Sequence, residues 1–572
     1  MLIFLPVLAY ATGDPDEVTG RLYIEPGVEN YLYIEEYDLK LVGSDKGDVT
    51  YFFLPSHADL TDIDMSGSPG SILLDDGTAL SEPELGIVQS VTVEDGKGSV
   101  IPWGICFMKS DRIHSVFLDF QDIDPSDVSR GDYSRVSVKV FSPTGTVETL
   151  DDAYIKGRGN ATWDLGGYSP EKLPYDLKFN EPHGIGNVSP RKKWTLLANA
   201  YEGTGLLNKM VFDTAAKLDM SYVTESDWAD LYANGRYLGN YLICSEPQNS
   251  AKALINAGGC LIEKNDVYFD RKPCGFRTAN DAFTIKAPWP IQNKTLTGIE
   301  KLTDTVDNEL SLTVPETKHI DMTSFVKWFL LEEFFYNEDA LITSCYFYSF
   351  KDQKKLFAGP PWDFDGTCGE SSGSYLNFTD SILNEPDSRN PLEWYNMLYD
   401  NSPEFRSSLR QYCNDYKEVF QNLLLSDIDG YYDVISSSMK MDHTLYGRGN
   451  LGFDYTTPGY YDDVSNNIRF TKYYLYNRSL YLSDIWDVDF GIPEQNFSDG
   501  STHTVSFQYP DETVITKDVA DGAFFTEHDP PERDAENIER WIYAANDCTV
   551  SPYLPIYEDV TIRPVYRDEE QD

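Results

Sequence analysis

The chain has 572 residues and a formal net charge of −48. That length exceeds what a single core organises, so about two to four domains are expected, and a field this negative excludes nucleic acid and anionic lipid as partners attracted at long range. Aromatic residues are 14% of the chain, with 39 Tyr, which excludes wholesale disorder and supplies material for a large core.

From the N-terminus, "MLIFLPVLAYATGDP" sets a short apolar run before Ala9-Tyr10-Ala11, the small-x-small pattern of a signal-peptidase site, without the usual basic residues ahead of it. The expectation is a signal-peptide remnant over 1–11 and a secreted or cell-surface location; a buried first strand is the alternative. No later stretch reaches the ~20 apolar residues of a membrane helix, so no integral membrane segment is expected. Eight Cys are too sparse for a disulfide scaffold, and there is no CxxC to suggest structural zinc. Cys260 with Cys274 and Cys345 with Cys368 are candidate pairs that spacing alone does not establish.

Residues 12–150 read as a β domain: "RLYIEPG", "YLYIEEYDLKLVG", "SVFLDF" and "RVSVKVFS" are β-branched or aromatic runs broken by Gly, Pro, Asp and Ser. A second domain over 151–488 mixes strands with helices. "YDLKFN" alternates, "GLLNKMVFDTAAKLDM" has helical spacing, and Asn234-Gly235 marks a hairpin turn. "MTSFVKWFLLEEFFYNEDAL", "FRSSLRQYCNDYKEVFQNLLL" and "NNIRFTKYYLYNRSLYLSDIW" predict long helices. After a linker at 489–502 the pattern returns to β over 503–572.

Three stretches carry residues suited to chemistry. In "IKGRGNATW", Arg158 sits between two glycines, so backbone and guanidinium can both approach a ligand closely; a tight turn with a solvated Arg is the plainer account. In "EKLPYDLKFN", Lys172 precedes a strand and Lys178 lies within it, which suits phosphate pairing from a cleft wall and equally an edge strand guarded against aggregation. The third is "FFYNEDALITSCYFYSF" followed by "PPWDFDGTCG". Asp339 near a helix end and Asp363 beyond a hairpin match the way phosphotransferases separate the acid that orients the acceptor hydroxyl from the acid that holds a metal. Asp363 and Asp365 are hard oxygen ligands suited to Mg²⁺ or Mn²⁺; an Asx-turn role for Asp363 is the alternative.

Taken together, "IKGRGNATW", "KLPYDLKFN", "KKWTLLANAYEGTGLLNKMVFDTAAKL", "LYANGRYLGNYLICSE" and "LFAGPPWDFDGTCG" resemble, in order, the CotH kinase family, atypical kinase-like proteins first named for a spore-coat component. The resemblance implies an α+β fold in which a two-lobed atypical kinase-like core, a mixed β lobe plus a helical lobe, is flanked by small β domains. It implies ATP and Mg²⁺ (or Mn²⁺) as cofactors and Ser or Thr of an extracytoplasmic protein as acceptor, with a cationic protein favoured by the charge. Carried over by position, Asp363 looks like the metal-binding Asp of the kinase Asp-Phe-Gly turn, here Asp-Phe-Asp-Gly, and Asp339 like the catalytic-loop Asp. Lys178, with Arg158, looks like a phosphate-facing cation, and the backbone of Glu246 like a hinge beside adenine. One departure stands out: five residues after Asp339, where kinases place an Asn metal ligand, this chain has Ser344. That leaves a catalytically weak or inactive scaffold as an alternative, and Asp365 as a replacement ligand. The C-terminal "HTVSFQYPDETVITKDVADG" and "RWIYAANDCTVSPYLPIYEDVTIRPVYRD" are similar to the β-grasp repeats of internalin-type surface proteins, which implies a spacer or adhesion module.

Overall fold

Alternating and helical stretches segregate along the chain largely where their periodicities place them. The computed structural model describes residues 20–23, 29–58, 63–64, 71–74, 84–94, 100–159, 163, 172–200, 202–271, 274–369, 378–384, 390–446, 461, 463–525, 533, 537–544, 549–550 and 554–567. The signal-peptide expectation at 1–11 lies outside these residues, as do Asn160 to Thr162 of the Gly-Arg-Gly motif and Cys548. The fold is α+β.

Two compact units form. The first holds Met1–Asp127, Arg135–Asp152 and Asp230–Gly239. It is built on strands: Tyr31–Ile34 and Leu39–Val42 pair antiparallel, His114–Asp119 pairs antiparallel with Ser134–Phe141, and Val49–Leu54 runs parallel to Val100–Lys109. The hairpin tip expected in the 151–488 domain belongs to this unit. Val42 N–H donates to Gly235 O at 2.9 Å and Asn234 N–H to Leu118 O at 2.9 Å. A Cβ on Gly235, whose φ is +83°, would stand 2.0 Å from Lys40 O, so glycine is what lets the two backbones meet.

The second unit holds Val128–Ser134, Ala153–Ala229 and Asn240–Asp572. Ala153–Gly157 pairs with Tyr175–Phe179, the long hairpin Tyr175–Ile185 and Val188–Leu197 follows, and Thr195–Leu197 pairs with Leu242–Cys244. A separate five-stranded sheet contains Cys260–Lys264, flanked by Ala282–Ala287 and Cys345–Ser349. Helices pack around Met322–Phe335, whose residues from Phe325 to Phe335 are all buried. A helix buried on every side has to sit among its neighbours, and its buried Lys327, Glu332 and Glu333 must find partners there. Asp321 caps its start by accepting from Ser324 N–H, and Tyr336 ends it in the left-handed region at φ +50°.

Beyond the helix Val464–Trp486 lies a four-stranded mixed sheet. Its first strand, Thr502–Gln508, runs parallel to its last, Val560–Tyr566, at the centre, with Val514–Ala520 and Ile538–Tyr543 outside them. Trp541 packs on Phe507 with ring centroids 5.2 Å apart.

Candidate functional site

The site forms where the end of the central helix meets the turn after the Phe357–Ala358 strand. Leaving the helix at Tyr336, the chain makes a tight loop in which Ile342 and Thr343 N–H groups donate to Asp339 O at 3.0 and 3.2 Å. Ser344, at φ +54°, redirects it into the strand Cys345–Ser349, which pairs Tyr346 with Glu263. The return strand leads through Trp362 to Asp363, itself left-handed at φ +73°. Phe364 is fully buried, its N–H donates to Asn208 Oδ1 at 3.0 Å, and its carbonyl accepts from Thr367 Oγ1 at 2.9 Å. Trp362 stacks on Phe212 at 5.7 Å. The two aromatic residues bracketing Asp363 therefore fix the turn by burial.

The acids converge. Ser344 Oγ donates to Asp363 Oδ2 at 2.9 Å. Burial lifts the Asp363 carboxyl above the usual carboxylate range; the charges of Asp339 and Glu263 lift it further, while the Ser344 hydroxyl and Arg158 oppose the rise. Asp365 is pushed up to about 8, by burial first and then by Asp363, Glu202 and Asp339. Carboxyls crowded with this little compensating charge resist ionisation until a cation joins them.

Arg158 is the cation that shares this neighbourhood. It leaves the strand at Gly157, where an added Cβ would stand 2.3 Å from the Trp163 ring, so glycine makes room for the indole of its own motif. Its guanidinium lies over Trp362 at 5.8 Å, and Nε faces Asp176 Oδ1 at 3.3 Å with no hydrogen bond made by either atom. Burial disfavours the guanidinium's charge, but Glu246, Asp176 and Asp363 outweigh it and hold the proton more tightly than usual. Lys178 is placed differently. It is exposed on its strand, opposite Tyr154 and Lys193, with its amine 5.7 Å from the Tyr133 ring centroid.

Lys172 is buried and donates to Asp442 Oδ2 at 2.5 Å, lying also over the Tyr241 ring. Its charge reaches Glu202, whose Oε2 accepts from Thr204 Oγ1 at 2.6 Å and from the N–H groups of Leu207 and Leu206 at 3.0 and 3.1 Å, capping the helix Leu207–Lys217. Burial raises Glu202 to about 7 against those hydrogen bonds, and its Oε1 is buried without a partner. Glu246 caps a short turn of helix: its carbonyl accepts from Asn249 and Ser250 at 2.9 and 3.1 Å, while its carboxylate acts on Arg158 and Lys286.

Several residues here carried no sequence signal. Glu263 and Lys286 sit on neighbouring strands, 3.3 Å apart, and Glu263 also accepts from Thr284 Oγ1 at 2.9 Å. Burial works against the Lys286 charge, but Tyr346, Glu263 and Glu246 together raise its proton affinity. Each read as an ordinary charged residue on a short strand, and only the pairing of the strands shows that they meet. Glu202 read as one more acid in a turn; the run Glu-Gly-Thr before an apolar helix was the available signal.

As donors, Asp363 and Asp365 suit a hard divalent cation. Among the described residues no group of three or more His, Cys, Asp or Glu side chains is arranged to hold an ion alone. Mg²⁺ needs fewer, since one or two carboxylates plus substrate phosphates commonly hold it. Cys260, Cys274 and Cys345 are free thiols, so neither of the two candidate disulfides forms. Among the described residues no helix is long and apolar enough to cross a membrane.

No curated protein matches the chain. The family model described as CotH kinase protein matches residues 155–482, a span running from the strand before Arg158 to the last long helix and enclosing Asp339, Asp363 and Asp365. The chain belongs to the CotH kinase family.

Proposed function

We propose that this chain is a secreted or cell-surface protein kinase, with a two-lobed atypical core, that transfers the γ-phosphate of ATP to Ser or Thr of an extracytoplasmic protein. The observation that carries this reading is the approach of Asp339 and Asp363, from positions 24 residues apart by number, close enough that the charge of Asp339 raises the Asp363 carboxyl while Arg158 opposes the rise. Asp339 would accept the proton of the attacking hydroxyl as its oxygen bonds the γ-phosphorus and the bond to the β-phosphate oxygen breaks. Arg158, fixed over Trp362, would face the phosphates with a charge it cannot lose. Asp363 and Asp365 would hold Mg²⁺ or Mn²⁺, which when bound neutralises charge on the β- and γ-phosphates. Lys178 would stand at the mouth beside Tyr133, and Lys172 would offset the acids from behind through Glu202. The formal charge of −48 favours a cationic protein as acceptor.

Incubating the purified protein with labelled ATP, Mg²⁺ and basic proteins tests this directly. Transfer is expected, including onto the chain itself, and Asp363→Ala should abolish it; mass spectrometry of the product distinguishes added phosphate from added AMP. Absence of transfer together with no rise in melting temperature on adding nucleotide and Mg²⁺ would sink the kinase reading.

A second reading has its own support. Ser344 stands where kinases carry an Asn ligand, and its hydroxyl already donates to Asp363. The terminal sheet, with its first and last strands parallel at the centre and Gly522 in a left-handed turn, favours a β-grasp module of the internalin type. On that reading the chain is a surface scaffold with a weak or silent core, and nucleotide leaves its melting temperature unchanged.

A further inference from the structure

We infer that Asn337 is the positioning residue of this site, the clip that fixes Asp339 against Asp363. The inference rests on the kinase reading above for its catalytic consequence. Its structural basis is separate.

Asn337 follows the left-handed Tyr336 and is 4% exposed. One amide N–H of its Nδ2 has Glu332 Oε2 as acceptor at 2.9 Å, and the other reaches the Asp363 carbonyl at 3.4 Å. Its Oδ1 accepts from Asp339 N–H at 3.3 Å. Its own backbone N–H donates to Glu332 O at 3.1 Å, and its carbonyl accepts from Ala340 N–H at 3.1 Å. A primary amide has two donors and an acceptor on a rigid plane, and here all three are used, each on a different part of the site. The anchor is the last turn of the central helix. The two other ends are the backbone of the loop bearing Asp339 and the backbone of the turn bearing Asp363.

The chemistry of the anchor explains the choice of Asn. Glu332 lies on the buried part of the helix and is 2% exposed, and burial, with the nearby Asp363 charge, lifts its carboxyl well above the usual carboxylate range. An Asp at 337 would lose both amide N–H donors and set a carboxylate oxygen against the Asp363 carbonyl, an acceptor facing an acceptor. An Ala would remove the acceptor of the Asp339 N–H and the donor to the Asp363 carbonyl, at one contact on each of the two acid-bearing segments. Transfer depends on the separation of the acids, since misplacement by about 1 Å can cost ~100-fold in rate.

Wild type, Asn337→Ala, Asn337→Asp, Glu332→Gln and Asp363→Ala are compared in parallel, each first shown to be folded by circular dichroism. Two readouts are taken: phosphate transfer with kcat and KM for ATP resolved, and amide hydrogen exchange of peptides spanning 338–344 and 363–368. For Asn337→Ala and Asn337→Asp the expected result is a kcat at least tenfold lower, with KM for ATP within threefold, and exchange at least tenfold faster in those two peptides alone. Glu332→Gln, which retains an acceptor for the Asn337 amide, should stay within threefold of wild type in both readouts. A wild type that transfers phosphate while both Asn337 variants keep their kcat overturns the clip and leaves the kinase reading standing. If the wild type transfers nothing, the kinase reading fails and the exchange data decide alone: unchanged exchange in the variants overturns the clip, and selective acceleration upholds it.

Discussion

Glu202 shows how one carboxyl ties local structure to the cleft. Its Oε2 caps a helix, its Oε1 has no partner, and its charge is felt at Asp365. In the unfolded chain it titrates near 4.5 and in the fold near 7. The folded pKa is the higher one, so stability falls as pH rises from about 4.5 to 7, where the unfolded chain releases the proton and the folded one keeps it. Glu202→Gln retains the capping oxygen and has no proton to release. Its unfolding free energy, measured by urea titration in chelator, should match wild type at pH 4 and exceed it at pH 8 by up to about 3 kcal/mol. An equal pH dependence for the two proteins would contradict the burial argument. At this scale the sequence was half legible. Asp363 and Asp365 stood out because acids beside Trp, Phe and Gly are unusual for solvated turns, and Asp339 because it follows an aromatic-rich helix. Arg158 and Lys178 were both candidates for the cation that joins them, and which one does was not legible: Lys178 stays exposed on its strand, and the turn of the chain after Gly157 brings Arg158 to Trp362. Asn337 carries no charge and forms no motif, so nothing in its spacing marked it.

At the scale of elements, Gly157 decides how the strand Val147–Gly157 hands over to the motif behind it. Gly157→Ala puts a methyl into the Trp163 ring, and overpacking of this kind costs about 1–3 kcal/mol. Because Arg158 is the next residue, the same substitution should raise KM for ATP severalfold, read in the transfer assay beside a denaturant melt. A melt unchanged from wild type would mean that the indole moves aside freely. The helix Met322–Phe335 was legible as a helix from its spacing, and its central place follows from a run in which only Lys327, Glu332 and Glu333 between Phe325 and Phe335 are charged. The strands Cys260–Lys264 and Ala282–Ala287 are short and were not resolved as a pair in sequence, which is why Glu263 and Lys286 went unnoticed. Lys286→Met should leave Glu263 buried beside Asp363 without its partner. The expected loss is about 3–5 kcal/mol in the melt, with part recovered by Glu263→Gln in the double variant.

For the molecule as a whole, a charge of −48 sets the kinetics of encounter. Between 50 and 500 mM salt, kcat/KM toward a basic protein should fall about tenfold or more, while KM for ATP changes far less. A salt-independent rate would place recognition in contacts and not in the field. The tail is coupled to the core through Asp521, which is buried and accepts from Arg469, from His503 Nε2 at 2.7 Å and from Asp499 N–H at 2.9 Å. Arg469→Ala should cost about 2–4 kcal/mol and speed amide exchange in Thr502–Gln508, because the carboxylate then loses its guanidinium while remaining buried. Arg469 stands on the helix Val464–Trp486, nine positions before Arg478. Arg478 is fully buried and clasps the central helix, donating through Nε to the Glu333 carbonyl at 2.8 Å and pairing with the Glu333 carboxylate. Two guanidinium grips about 14 Å apart therefore share one rigid rod. A pull on the terminal sheet would be carried along that strut to Glu333, one turn of helix ahead of the loop that carries Asp339.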